Sequence, residues 1–149
     1  MLILPIEVWQ LILELCSLPT QLNLTVACKL FNHRLHIIDF NNIENEYKHK
    51  LTNDILKRYQ HLKHLDASDN LKISNQGIKH LNLDTLNAEN NDRITDRGLR
   101  HLKLTYLDAS NNNFITDEGI KHMDLQVLFA SGYSCKITDQ GMVVTPPNI

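Results

Sequence analysis

Three histidines, His80, His101 and His122, recur 21 residues apart. Stacked imidazoles are the side chains that bind a transition metal or sense pH near neutrality. No acidic or cysteine partner shares their column, and a repeat copies every residue whether it acts or not. No metal ligand is therefore assigned. Three Ile-Thr-Asp runs place Asp96, Asp117 and Asp139 at similar steps. Paired carboxylates can do general acid–base work, but these recur too regularly for a unique catalytic pair and read as helix caps. Cys16 and Cys28 carry no sign of nucleophile activation, and there is neither a Gly-rich phosphate loop nor a Cys/His zinc spacing. The sequence thus predicts no catalytic residue, no enzyme activity and no cofactor.

The elements carrying these side chains form a 21-residue repeat. Its first half reads Leu-x-x-Leu-x-Ala-x-x-Asn, as Leu62, Leu65, Ala67 and Asn70, then Leu83, Leu86, Ala88 and Asn91, then Leu104, Leu107, Ala109 and Asn112. A fourth copy runs Leu125, Leu128, Ala130, with Tyr133 in the asparagine column. The Leu-x-Ala alternation has strand period, so these pairs point inward and their neighbours outward. A buried asparagine carries donors and an acceptor and can satisfy the backbone of a tight turn and of adjacent units. Tyr133 cannot, and the extra residue near Ser134–Cys135 predicts an irregular last turn.

The second half reads Ile-Thr-Asp-x-Gly-Leu from Ile94 and recurs from Ile115 and Ile137, with a looser copy at Ile73-Ser74-Asn75-Gln76-Gly77-Ile78. Ser, Thr, Asp and Asn are N-cap residues, so a short helix should begin at each. Gly77, Gly98 and Gly119 would allow close packing against the next unit. Leu51-Thr52-Asn53-Asp54-Ile55-Leu56 is a degenerate copy with Ile55 in the glycine column, as terminal repeats often are. A period of this length signals a solenoid, whose units bury their apolar faces on one another and present a long surface to partners.

Composition agrees with a folded protein: 42% of the 149 residues are apolar and 21% charged. The net charge of -2 gives no reason to expect nucleic-acid binding. Three scattered cysteines do not form a disulfide framework and favour a reducing compartment, cytoplasmic or nuclear. The apolar N-terminus lacks the basic start of a signal peptide and is interrupted by Glu7 and Glu14. No apolar run reaches the length of about 18 residues that a membrane span requires.

Before the repeat, Val8, Leu11, Ile12 and Leu15 follow helical spacing after Pro5, and Leu18-Pro19-Thr20 breaks the helix. A second helix begins near Thr20 and runs through Leu22, Val26 and Leu30. About 35 residues cannot bury a self-sufficient core, so their apolar faces dock on the repeat, on another protein, or on both. Residues 36–50 read as a linker helix that Asn41-Asn42 can break, with Lys48-His49-Lys50 as a solvated basic patch.

The repeats resemble the leucine-rich repeat family, in the subtype found behind F-box modules, over about residues 51–142. Residues 3–35 resemble an F-box: Leu4-Pro5-x-Glu7 opens the pattern, Ile12 and Leu15 continue it, and Leu24-Thr25-Val26-Ala27-Cys28-Lys29-Leu30-Phe31 closes it. The array departs from the family in its short unit and its alanine column, and the F-box in its final Phe. The resemblance implies an α/β chain with an F-box-like helical module at 1–35, a linker helix at 36–50 and leucine-rich repeats at 51–142. The array would hold a degenerate cap at 51–61 and units starting near 62, 83, 104 and 125, with a tail at 143–149. Parallel strands would line a concave face and short helices the convex one. The function implied is a substrate receptor of an SCF-type (cullin-RING) ubiquitin ligase. Leu4, Pro5, Val8, Ile12, Leu15, Val26, Cys28, Lys29 and Phe31 would meet the adaptor subunit, or else be ordinary helix-pair core. A leucine-rich-repeat scaffold outside any ligase, and a decoy that occupies the adaptor, are the alternatives.

A protein substrate, with neither nucleic acid nor membrane as partner, would meet the outward strand positions. These include His64, Asp66, Thr85, Asn87, Glu89, Tyr106, Asp108, Val127 and Phe129. Exposed aromatics on a rigid sheet are typical anchors, and acidic neighbours favour a basic partner. The plainer reading is a solvated face with Phe129 near a covered end. The C-terminal run Met142-Val143-Val144-Thr145-Pro146-Pro147 stops the last helix without supplying a polar cap.

Overall fold

The computed structural model describes residues 39–40 and 48–139. The F-box-like segment, with every expected adaptor contact from Leu4 to Phe31, lies outside the described residues, as do the end of the helix expected from Ile137 and the tail at 143–149. Five parallel strands stand in sequence order, β1 (Asp39–Phe40), β2 (His64–Asp66), β3 (Thr85–Asn87), β4 (Tyr106–Asp108) and β5 (Val127–Phe129). Among the described residues, a one-turn helix lies between each pair of successive strands: α1 (Asn53–Leu56), α2 (Asn75–Ile78), α3 (Asp96–Leu99) and α4 (Asp117–Ile120). Register follows the repeat: Leu65 pairs with Leu86, Leu86 with Leu107 and Leu107 with Leu128. The α/β class and the alternation of strand and short helix are thus as expected. The linker helix over 36–50 is corrected at Asp39–Phe40, which pair with His64 and Leu65 as an added edge strand. Phe40 is buried there and meets the Tyr59 ring edge-on, with centroids 5.0 Å apart.

The core is a stack of identical layers. Leu62, Leu83 and Leu104, Leu65, Leu86 and Leu107, and Ala67, Ala88 and Ala109 are all buried, with Ile73, Ile94 and Ile115 closing each layer from the helix side. Each buried leucine contributes about 2 kcal/mol of apolar burial. No unit could obtain that alone, because its inward face is covered by its neighbours. The last unit is less covered: Leu125, Leu128 and Ile137 are only partly buried.

Three asparagines run through this core. Asn91 Nδ2 donates to the carbonyls of Ala67 (2.9 Å) and Asn70 (2.8 Å), and its Oδ1 accepts from the Arg93 (3.0 Å) and Ile94 (3.2 Å) N–H groups. Asn112 repeats this one unit on, donating to the Asn91 carbonyl and accepting from Phe114 and Ile115. Asn70 does so one unit back, with the Lys48 and Leu51 carbonyls as acceptors. The turn needs a second device, a left-handed residue just before each asparagine. Asp69, Asn90 and Asn111 have φ near +50° and Gly132 has φ +98°, the residue types that tolerate this region. At Tyr133 the asparagine ladder stops. The side chain is fully exposed and the turn closes through Cys135 N–H and the Gly132 carbonyl (3.3 Å).

A second ladder joins the helices. Thr52, Ser74, Thr95 and Thr116 cap them. The following residue reaches the next unit: Asn53 Oδ1 accepts the Ser74 N–H (2.9 Å), Asn75 the Thr95 N–H (2.9 Å), Asp96 the Thr116 N–H (2.8 Å) and Asp117 the Thr138 N–H (2.7 Å). The aspartates expected as caps of their own helices are therefore bridges to the next unit. This also corrects the glycine argument. A Cβ on Gly98 would collide with Asn75 Oδ1, so the close approach is to the preceding unit. In α1, where Ile55 takes the glycine column, its side chain packs on the core.

Asn91→Ala leaves buried carbonyls and N–H groups unpaired and is expected to cost about 3 kcal/mol in urea unfolding. The Asp117 carboxyl is held below its usual 3.8 by the Thr138 hydroxyl and then its backbone N–H. Its bridge is intact above pH 3.8 and is lost as pH falls through the lowered value. The Thr138 amide resonance should titrate below pH 3.8. Asp117→Asn should abolish that titration while keeping the junction, as Asn53 and Asn75 do.

Candidate functional site

Alternation along the short strands turns one set of side chains out of the core, and strand register arranges them in rows. Asp39, His64, Thr85, Tyr106 and Val127 form the first row, and Asp66, Asn87, Asp108 and Phe129 the second. Ser68, Glu89, Ser110 and Ser131 lie two residues beyond the second row. All nine residues expected to meet a substrate share this outer face. Asp39 joins it unforeseen, because a two-residue strand leaves no alternation to read.

The second row has a structural duty. Asp66 Oδ1 accepts the Ser68 N–H (2.9 Å), Asn87 Oδ1 the Glu89 N–H (3.0 Å) and Asp108 Oδ1 the Ser110 N–H (2.9 Å). An Asp or Asn in this position hydrogen-bonds the backbone two residues on and helps the chain leave the strand. Phe129 breaks the rule. With no acceptor there, the Ser131 N–H leans on Ser110 Oγ (3.4 Å) and the Ser131 hydroxyl donates to the same oxygen (3.1 Å). Phe129 is 50% exposed and Val127 41%. The Phe129 ring lies 5.9 Å from that of Tyr106 at a tilt of 56°.

The polar end of the face is also not as expected. Lys48, read as part of a solvated basic patch, is buried. Its Nζ lies 2.8 Å from Asp66 Oδ2 and donates to Ser68 Oγ at 2.6 Å. Both oxygens of Asp66 are thereby occupied, so its charge is neutralised from within. No spacing signal flags this pairing, since Lys48 belongs to no repeat. His64 Nδ1 shares a hydrogen bond of 3.0 Å with Thr85 Oγ1. Glu89 and Asp108 form no ion pair among the described residues and make the middle of the face anionic. Between the rows, Asp66, Thr85, Asn87 and Tyr106 line a depression of about 340 Å³. The Tyr106 phenol is held above its usual 10.0, first by desolvation and then by the Asp108 and Asp66 carboxylates.

The histidine column has a structural role. The Nε2–H groups of His80, His101 and His122 donate to the Leu56 (3.2 Å), Leu81 (3.3 Å) and Leu102 (3.1 Å) carbonyls of the preceding unit. Among the described residues no group of three His, Cys, Asp or Glu side chains could hold a metal ion. No helix among them is long and apolar enough to cross a membrane.

Asp108→Asn removes one of the charges that raise Tyr106 but leaves its desolvation. Ultraviolet difference titration against Tyr106→Phe should place the phenol above pH 10.0 in the parent and nearer to it in the variant. No family model matches the chain, and no curated protein matches it either.

Proposed function

We propose that the chain is a substrate-receptor subunit of an SCF-type ubiquitin ligase. In this reading residues 3–35 are an F-box that docks on the adaptor subunit. The repeats are a leucine-rich array whose sheet is the concave face that holds a protein substrate. The chain supplies no catalytic residue. It raises the effective concentration of substrate near the ligase's ubiquitin-carrying partner, which is a rate effect of proximity alone.

The observation that carries the reading is the apolar cluster of Tyr106, Val127 and Phe129 on a sheet held rigid by two hydrogen-bond ladders. A side chain that departs from the repeat's structural need and stays exposed is a candidate recognition anchor. The Leu4-Pro5-x-Glu7 opening and the Leu24–Phe31 close supply the adaptor half of the argument. Together they favour a receptor over a scaffold, which has no use for a second docking module.

Calorimetry of the full chain with an SCF adaptor subunit tests this. Binding is expected, and a Leu4→Ala/Pro5→Ala variant with an unchanged circular dichroism spectrum should bind about thirtyfold more weakly. A folded parent protein that does not bind the adaptor would refute the receptor reading.

A further inference from the structure

We propose that the substrate segment held on the sheet face is basic and apolar together, an arginine or lysine beside an aliphatic or aromatic residue. This inference deepens the receptor reading and takes from it only that the face binds protein.

Three observations converge. First, the charge of the face is displaced from where the sequence puts it. Asp66 is neutralised by Lys48 at 2.8 Å, whereas Glu89 and Asp108 form no ion pair among the described residues. Asp108 spends only Oδ1 on the Ser110 N–H, which leaves Oδ2 to accept from a partner cation. Second, the adjoining apolar surface is a departure from the repeat. The second row is Asp, Asn and Asp until it becomes Phe129, and Ser110 takes over the backbone duty that Phe129 cannot perform. Third, the two features touch. The Asp108 carboxylate acts on the Tyr106 phenol, and the Tyr106 ring lies 5.9 Å from that of Phe129.

A cationic side chain lying along Tyr106 towards Asp108 meets a π-face and a carboxylate at once, both of which attract it. Its apolar neighbour then covers Val127 and Phe129. An acidic segment would face Glu89 and Asp108 with no free cation among the outward row residues, which is a direct penalty against that class of partner.

The repeat supplies the clean control. Asn87 occupies the same row as Asp108 and makes the same backbone bond, accepting the Glu89 N–H at 3.0 Å. Asp108→Asn therefore keeps the turn and removes only the charge. Phe129→Ala removes a half-exposed ring from a position where no backbone bond depends on it.

The test is selection of a random dodecapeptide display library on the full-length protein, followed by fluorescence polarisation with the enriched peptides. Enrichment of Arg or Lys next to Leu, Ile, Phe or Trp is expected. Binding should weaken about tenfold in Asp108→Asn and in Phe129→Ala, as a loss near 1.4 kcal/mol would give, and should weaken with added salt. Lys79→Glu/Arg100→Glu, remote from the sheet, should leave it unchanged. Failure to enrich, enrichment of acidic or uncharged peptides, or indifference to Asp108→Asn would overturn the inference. Adaptor calorimetry on the same preparation separates the two ideas. Adaptor binding without basic peptides refutes only the substrate class, and basic peptides without adaptor binding refute only the receptor role.

Discussion

The buried amides of Asn70, Asn91 and Asn112 are the constraint on which the molecule rests. A parallel strand that must turn sharply inside an apolar stack leaves carbonyls and N–H groups with no water to meet them. One asparagine per unit answers both needs, since its amide nitrogen reaches back to the previous turn and its oxygen closes its own. The links are sequential: Asn112 donates to the Asn91 carbonyl, and Asn91 to that of Asn70. Strand register, and with it the rows of the outer face, follows from where these amides lock the turns. A polar core network of this kind stabilises only when fully satisfied, and no buried side-chain polar atom among the described residues lacks a partner.

The outer face inherits its chemistry from that geometry. Asp66, Asn87 and Asp108 are committed to the strand exits and are only partly available to a partner. Variation is therefore informative where the exit has found another acceptor, and Phe129 is that place. At the opposite end Lys48 withdraws Asp66 from the surface. Along the second row the carboxylate at Asp66 is paired from within, that at Asp108 is unpaired among the described residues, and the row ends apolar at Phe129.

Much of this was legible in the residues. Leu65-x-Ala67 and its copies fixed the strands and their inward sides, and the asparagine column announced the turns. The Ile-Thr-Asp runs announced short helices. What escaped was whatever depended on contacts between units. The step from Asp96 to Thr116 spans 20 residues, so Asp96 read as a cap of its own helix rather than a bridge. Gly98 read as making room ahead when its close neighbour Asn75 lies behind. Asp39–Phe40 is too short for any period, and Lys48 had the composition of a solvated patch until Asp66 and Ser68 were seen around it. The left-handed column did have a signal, in Asp69, Asn90, Asn111 and Gly132 at equal spacing.

Both ladders also give the chain a grammar of growth. The junction between the units of Asn70 and Asn91 repeats the amide-to-carbonyl bond, the backbone bond to the bridging Oδ1 and the apolar layers of that between the units of Asn91 and Asn112. A whole unit could be duplicated or deleted between two asparagines and each new seam would close as the old ones do. The outer face is then free to lengthen, shorten or shift phase along the sheet while the core chemistry stays constant. In this architecture the reach of that face is a heritable quantity with a smallest increment of one turn.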